Sequence, residues 1–219
     1  MVIIFDLDGT LLNTITDLGH ACNYALEHTG FPTHPIDSYP SMVGNGISNL
    51  IRRALPETHR DEAAIARVRT FFVPYYDAHN CDYTHPYDGI PDVLRALKAQ
   101  GHFLAVASNK YQAATEKIVH HFFPGIFDVI LGEREGIERK PDPQIVYDIL
   151  AKRQEKTEGG KTMYIGDSLV DKATAENAGV PFIACAWGFV PRERLVEEGC
   201  ENIIDQPDEV LKFGTVCVS

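Results

Sequence analysis

The sequence lacks the features that would direct it to nucleic acid or a membrane. Lysine and arginine total 20 against 31 aspartates and glutamates, for a formal net charge of −11 at pH 7, so no basic surface is expected for a polyanion. No apolar run approaches the ~18 residues of a membrane-spanning helix. We therefore expect no nucleic-acid or membrane partner, and we expect an anionic substrate to be met by a local cation.

The five cysteines lack the CxxC pairs and finger spacings of metal sites. A chain of 219 residues can bury a full core without disulfides, which favours free thiols in a reducing compartment. The first strand-like run begins at Val2, which leaves no room ahead of it for an export leader. These features predict a cytoplasmic protein and leave its oligomeric state open between monomer and homodimer.

Strand-like and helical patterns alternate along most of the chain. After about residue 83, apolar runs such as FLAVAS, MYIGD and FIACAW are separated by helical stripes. This alternation predicts an α/β fold with a doubly wound parallel sheet and helices on both faces. Ligands of such sheets bind beyond the carboxyl ends of the strands, where the strand order reverses.

The stretch from about residue 15 to 82 differs because it has helical periodicity and no convincing strand. Apolar residues recur at i, i+3, i+4, i+7 and i+8, most clearly over residues 47–55. We therefore predict an α/β core formed by residues 1–14 and 83–219, with a small α-helical cap domain inserted at residues 15–82.

Two aspartates, Asp6 and Asp8, follow the apolar run VIIF. Because strand side chains alternate between faces, both carboxylates point the same way. Two like charges this close repel each other unless a cation, a proton or a substrate compensates them. Taken alone, DLDG is equally well explained as an Asp-Gly turn, and it does not match an EF-hand loop.

Further polar residues follow other predicted strands. Ser108 and Asn109 end FLAVASN, Lys140 lies in RKPDP, and Asp167 ends MYIGD with Asp171 four residues on. That spacing predicts two carboxylates on one face of a helix. Each position alone is explained by a helix cap or a solvated lysine. Together they favour one site beyond the carboxyl ends of three strands.

The segments FDLDGTLLNT, SNK, Lys140-Pro141 and GDSLVD, in this order, resemble the four motifs of the haloacid dehalogenase superfamily. The inserted helices are similar to its small cap, and the resemblance spans nearly the whole chain. Within the superfamily, VGNGISNLIRRAL and the WGF at Trp187 are most similar to phosphoglycolate phosphatases. Asn13 departs from the aspartate that these phosphatases more often carry.

Carboxylate chemistry agrees with this resemblance. Asp6 is expected to be ionised at neutral pH, so as a nucleophile it needs no partner base, and its attack on phosphorus gives an acyl phosphate that water hydrolyses. Asp8, beside a second carboxylate, can supply the proton of the leaving group. Ser108, Asn109 and Lys140 are expected to hold the phosphate oxygens.

The same acids predict a metal site. Asp6, Asp167 and the main-chain carbonyl of Asp8 are oxygen ligands of the kind that Mg²⁺ prefers. Asp171 and Thr10 are expected to support this site by orienting its members rather than by binding the ion.

Substrate choice is expected to come from the insertion, because the core motifs handle only the phosphoryl group. Gly44, Asn45 and Gly46 precede a predicted helix, and their main-chain donors suit a small anionic group. A plain turn between helices explains them equally well. The resemblance favours 2-phosphoglycolate, whose carboxylate would meet these donors.

The leading function is a magnesium-dependent phosphomonoesterase acting on a small phosphorylated metabolite. The alternatives are a phosphosugar mutase, which often carries valine where Thr10 stands, and an inorganic pyrophosphatase. A dehalogenase has no need of Asp8. A non-catalytic binding module is disfavoured because five motif residues are intact, namely Asp6, Asp8, Ser108, Lys140 and Asp167.

Overall fold

The computed structural model describes residues 1–154 and 161–214. Cys22, Cys81, Cys185 and Cys200 are free thiols, and Cys217 lies outside the described residues. Within these two ranges, every helix is too short or too polar to cross a membrane.

The described residues form eight strands and nine α-helices. The strands are β1 Val2–Phe5, β2 Leu12–Asn13, β3 His85–Pro86, β4 Phe103–Tyr111, β5 Val129–Glu133, β6 Thr162–Gly166, β7 Phe182–Cys185 and β8 Ile203–Ile204. The helices are α1 Ile15–His28, α2 Ile47–Ala54, α3 Glu62–His79, α4 Ile90–Ala99, α5 Gln112–Phe122, α6 Gln144–Gln154, α7 Leu169–Ala178, α8 Arg192–Glu197 and α9 Val210–Gly214. Short 3₁₀ turns occupy Ile36–Ser41, Glu57–His59 and Pro207–Glu209.

Six strands form one sheet in the order β5-β4-β1-β6-β7-β8, and all neighbours are parallel. The chain moves outward on one side of β1 through β4 and β5, then crosses to β6 and moves outward on the other side. The strand order therefore reverses at β1, whose carboxyl end is the switch point. The predicted doubly wound α/β fold is confirmed.

The first strand is buried on both faces. Ile3 and Phe5 belong to one apolar cluster and Val2 and Ile4 to another, and all four are at most 1% exposed. A continuous apolar run is typical of a parallel strand covered by helices on both sides, and burial of each large side chain stabilises the fold by roughly 1.5–3 kcal/mol. This burial fixes β1 at the centre of the sheet, and the residues that follow it emerge at the carboxyl end of the strands.

Strand β4, which carries Ser108 and Asn109, is longer than the sequence predicts. β4 continues to Tyr111, with a shift of register against β5 between Ala107 and Tyr111. Ser108 and Asn109 consequently lie within the strand rather than just beyond it. The register shift is a property of the pairing with β5, which local sequence does not encode.

The turn after β6 also differs from the sequence-based expectation. Asp167 precedes α7, and Ser168 is the N-cap, with a capping box formed by Ser168 and Asp171. The prediction that Asp167 and Asp171 occupy adjacent turns of one helix is therefore wrong, and so is the alternative that Asp167 is the cap. Their carboxylates approach each other across this strand-to-helix turn.

A two-stranded ribbon bounds the helical segment, by which we mean residues 15–82. β2 and β3 pair antiparallel on either side of it, and α1, α2 and α3 lie between them. The buried carboxylate of Asp17 accepts hydrogen bonds from Tyr83 N at 3.0 Å, Thr84 N at 2.8 Å and Thr84 Oγ1 at 2.7 Å. These bonds tie the beginning of the segment to its end. We propose that the segment acts as a cap on the α/β core.

Candidate active site

Lys140 connects three neighbouring strands at the switch point. Its Nζ donates to Asp6 Oδ1 at 2.8 Å, Asp171 Oδ1 at 2.7 Å, Ala107 O at 2.9 Å and Tyr164 Oη at 3.0 Å. An ammonium group has three N–H donors, so protein groups already occupy them. Lys140 therefore neutralises the cluster in this arrangement, and a phosphate oxygen would have to replace one of these partners.

Three buried carboxylates surround that ammonium group. Oxygens of Asp6, Asp167 and Asp171 lie within 4.8 Å of one another, and together with Lys140 they have a formal charge of −2. Burial and the charge of Asp171 raise the pKa of Asp6 well above its usual value. The same two causes raise the pKa of Asp167 to about 7. The cluster is short of positive charge, so the ionised Asp6 that the sequence predicts requires an additional cation nearby.

The donor set fits a hard divalent cation. Asp171 accepts from Lys140 and Tyr164 at Oδ1 and from Ser168 Oγ at Oδ2, so both of its oxygens are engaged. Asp6 Oδ2, in contrast, accepts no hydrogen bond from the described residues. Carboxylate and carbonyl oxygens are the ligands of Mg²⁺, Ca²⁺ and Mn²⁺. Asp171 is also ion-paired to Lys140, whereas the donors to Asp167, Thr10 Oγ1 and Phe189 N, are both neutral. Asp6, with an unbonded oxygen, and Asp167, with no cation of its own among the described residues, are thus the acids of the cluster best suited to bind such an ion.

Asp167 is held by close backbone approach. Its Oδ1 accepts from Thr10 Oγ1 at 3.0 Å and its Oδ2 from Phe189 N at 2.7 Å. A Cβ atom at Gly9, whose φ is +87°, would overlap the Asp167 carboxylate, and one at Gly188 would overlap Asp167 and the Gly9 carbonyl. Both positions therefore require glycine for this carboxylate to stay where it is.

Asp8 has a different environment from Asp6. Its Oδ1 accepts from Thr14 Oγ1 at 2.7 Å and lies 3.1 Å from Lys110 Nζ. Both partners bind the same oxygen, which leaves Oδ2 without a hydrogen-bond partner among the described residues. Asp8 lines the cavity described next, so its second oxygen is available for proton transfer.

A cavity of about 50 Å³ lies between the core and the helical segment. The core lines it with Asp6, Asp8, Ser108, Asn109, Lys110, Tyr111 and Lys140, and the segment lines it with Leu18, Val43, Gly44, Gly46, Ile47, Leu50 and Tyr76. The structure thus brings Asp6, Asp8, Ser108 and Lys140 together with two glycines of the expected loop, while Asp167 and Asp171 are not among the lining residues.

Two sequence-predicted site residues make contacts between loops. Asn109 Oδ1 accepts from Lys140 N at 3.0 Å, and Asn109 Nδ2 donates to Lys140 O at 3.1 Å and to Gly44 O at 3.2 Å. Its side-chain amide thus joins two loops, while the residue itself lines the cavity, and its expected role in phosphate binding stays a prediction. Asn45 contributes a carbonyl that accepts from Asn49 and Arg139, while its glycine neighbours line the cavity.

Lys110 and Tyr76 are among the cavity residues that sequence reasoning did not single out. Lys110 follows Ser108 by two residues within β4, the same spacing that singled out Asp6 and Asp8. That spacing was the available signal. Tyr76 belongs to an apolar helical stripe, and its hydroxyl gave no reason to separate it from core residues.

Comparison with known proteins identifies the family. Residues 3–185 match the haloacid dehalogenase-like hydrolases. A phosphoglycolate phosphatase of Cereibacter sphaeroides is 32% identical over 96% of this chain and 97% of its own. One of Aquifex aeolicus (strain VF5) is 31% identical over 97% and 95%. A crystal structure from Lactobacillus delbrueckii subsp. bulgaricus, of a protein provisionally assigned as a phosphoglycolate phosphatase, has a TM-score of 0.89 and 33% identity, with 97% of each chain covered.

The chain therefore belongs to the haloacid dehalogenase-like hydrolases, an enzyme family, and the predicted resemblance is confirmed. It resembles phosphoglycolate phosphatases over nearly its whole length.

The shortage of positive charge predicts a pH-dependent stability for the cation-free protein. An unfolded aspartate ionises near pH 3.9, whereas Asp167 in the fold has a pKa of about 7. The folded state binds the extra proton between these values, so the free energy of unfolding falls as the pH rises through this window. Asp167→Asn removes this loss, and in chelator at pH 8 we expect it to raise the free energy of unfolding by roughly 2–4 kcal/mol. Urea unfolding from pH 5 to 8 measures this.

The exposed Asp88 provides the control, and Asp88→Asn should leave the pH profile unchanged. With a saturating divalent cation, the wild type should instead be more stable than Asp167→Asn. The asparagine is a poorer ligand, and binding of the ion stabilises the folded state. An Asp167→Asn variant that is less stable than the wild type in chelator at pH 8 contradicts the charge argument.

Proposed function

We propose that this protein is a magnesium-dependent phosphomonoesterase that hydrolyses 2-phosphoglycolate through an aspartyl phosphate on Asp6. The observation that carries the proposal is the pair Asp6 and Asp8 at the switch point, lining one small cavity, with Asp6 also part of a buried cluster of formal charge −2. The phosphoglycolate phosphatases that match nearly the whole chain support the choice of reaction.

In the first step Asp6 Oδ attacks phosphorus and the bond from phosphorus to the leaving oxygen breaks. Asp8 gives its proton to that oxygen, so the product leaves as an alcohol. In the second step water attacks the acyl phosphate, Asp8 takes a proton from it, and inorganic phosphate is released with Asp6 regenerated. Ser108 and Lys140 hold the phosphate oxygens. A bound Mg²⁺, held by Asp6, Asp167 and the Asp8 carbonyl, supplies neutralisation of the phosphoryl charge.

The size of the cavity supports a small leaving group. Its volume of about 50 Å³ is well below the roughly 300–1,000 Å³ of pockets that enclose drug-sized ligands. A two-carbon acid suits this space better than the sugar of a phosphosugar mutase. The segment's Gly44, Asn45 and Gly46 contribute to selectivity by closing the cavity beside the leaving group.

The proposal is tested by release of inorganic phosphate from 2-phosphoglycolate with Mg²⁺. We expect chelator to stop turnover and Mg²⁺ to restore it. Asp6→Asn should abolish turnover while leaving the circular dichroism spectrum unchanged, because an amide is neither a nucleophile nor a good metal ligand. The matched control Asp88→Asn should keep wild-type activity. Full activity in chelator, or turnover by Asp6→Asn that mass spectrometry shows to be free of deamidation, contradicts the proposal.

Asp8→Asn should have an effect that depends on the leaving group. With 2-phosphoglycolate, loss of acid catalysis should lower kcat by roughly 10²- to 10⁴-fold. With 4-nitrophenyl phosphate the loss should be much smaller, since nitrophenolate departs without a proton. Equal losses on both substrates would show that Asp8 serves mainly to hold the site together.

The cap loop is tested by two alanine variants that share a backbone penalty. Gly46 and Gly44 both have positive φ, at +77° and +104°, so alanine strains the backbone at either position. A Cβ at Gly46 would lie 2.6 Å from Arg139 Nη1, whereas one at Gly44 meets nothing within 4 Å. We expect Gly46→Ala, which displaces the Arg139 guanidinium from its bond to the Asn45 carbonyl, to lower kcat/KM for 2-phosphoglycolate more than Gly44→Ala does. Equal effects would assign the loop to closure alone.

A further inference from the structure

Lys110 is a buried cation with one N–H donor that has no partner among the described residues. It is 6% exposed, and its Nζ lies 3.1 Å from Asp8 Oδ1 and 2.7 Å from Tyr76 Oη. Burying an ammonium group is unfavourable unless its charge is answered and its N–H groups are bonded. Two of the three N–H donors have partners among the described residues. Because Lys110 lines the cavity, the third can meet a ligand there.

Tyr76 offers a second donor beside the first. Burial, together with the charges of Asp8 and Asp17, raises the pKa of its phenol well above the usual value, so the hydroxyl keeps its proton. The oxygen accepts from Lys110, and the O–H has no acceptor among the described residues. Tyr76 also lines the cavity. An N–H and an O–H, on atoms 2.7 Å apart, therefore adjoin the same space.

These donors lie on the side of the leaving group. Asp8 delivers the proton to the leaving oxygen in the proposed reaction, and Lys110 is in contact with Asp8. Lys140, the other lysine at the cavity, is engaged by Asp6, Asp171 and neighbouring oxygens. It serves the phosphoryl side, which leaves Lys110 as the counter-charge for the rest of the substrate.

The remaining cavity wall limits the charge that can bind. The helical segment contributes the apolar side chains Leu18, Val43, Ile47 and Leu50. Among the described lining residues, the cations are the two lysines. In the proposed reaction Asp8 carries the proton for the leaving oxygen and is neutral, so the Lys110 ammonium can balance one negative charge of the substrate. A second phosphate dianion would lack a counter-charge. The geometry therefore favours a carboxylate, whose two oxygens match two adjacent donors.

We propose that Lys110 and Tyr76 form the recognition site for a single carboxylate on the leaving alcohol, so that the enzyme selects phosphate monoesters of short hydroxy acids. This inference rests on the proposed phosphatase function and adds its determinant of selectivity. It assigns the substrate carboxylate to a core lysine and a tyrosine of the helical segment, rather than to main-chain donors of the loop at residues 44–46.

A competing explanation is that the contact between Lys110 and Tyr76 only fastens the segment to the core. The experiment therefore compares two substrates of similar size, 2-phosphoglycolate and the neutral 2-hydroxyethyl phosphate. Lys110→Met removes the charge and Tyr76→Phe removes one hydroxyl. The matched control is Lys117→Met, because the exposed Lys117 also bonds to the segment, through the Asp77 carbonyl, but outside the cavity.

We expect the wild type to prefer 2-phosphoglycolate. Lys110→Met should reduce the ratio of kcat/KM for 2-phosphoglycolate to that for 2-hydroxyethyl phosphate by roughly 10- to 100-fold, mainly through KM. Tyr76→Phe should reduce it by several-fold, and it keeps the test decisive if Lys110→Met folds poorly. Lys117→Met should leave the ratio unchanged.

Three results would overturn the inference. Equal losses on both substrates in Lys110→Met and Tyr76→Phe would make the contact a fastening only. A wild type that hydrolyses the neutral ester as well as the acid would remain a phosphatase but without this selectivity. A wild type that hydrolyses neither ester, even with Mg²⁺ and with 4-nitrophenyl phosphate, would refute the proposed function together with the inference.

Discussion

The ion pairs between the buried ammonium of Lys140 and the carboxylates of Asp6 and Asp171 organise this molecule's candidate site. Lys140 also bonds to a carbonyl within β4 and to the hydroxyl of Tyr164 in β6, so one charge joins three adjacent strands. A buried charge is costly when no opposite charge compensates it. Here one ammonium group faces three buried carboxylates, and the remaining formal charge of −2 suits a divalent cation.

Much of the fold could be predicted because its signals are local. The periodicity of apolar residues predicts the alternation of strands and helices. The acids Asp6 and Asp8 are two residues apart, which is the period of a strand. What the sequence could not reveal depends on contacts distant along the chain. The extension of β4 follows from pairing with β5, and the engagement of Asn109 follows from the path of the loop at Lys140.

Capping preferences explain why the sequence did not identify the residue that begins α7. Asp167 and Ser168 are neighbours, and both residue types are strong N-caps, so local preference could not decide which begins α7. The structure assigns the cap to Ser168 and thereby frees the Asp167 carboxylate for the cluster. Tyr76 shows a related ambiguity, because helical periodicity reports which face is buried but not whether that burial is against a core or a cavity.

The ribbon of β2 and β3 affects how protein residues on the two sides of the cavity come into contact. The chain leaves the core and returns to it through two strands that are hydrogen-bonded to each other, and Asp17 cross-links the segment's ends. Twisting of the segment against the core would break the pairing of Leu12 with Pro86 and of Asn13 with His85, so the double crossing resists twisting more than a single strand would. Tyr76 and Lys110 belong to one chain, so under the proposed cap role their contact forms as an intramolecular encounter at high effective concentration, and the ribbon sets the direction from which Tyr76 approaches.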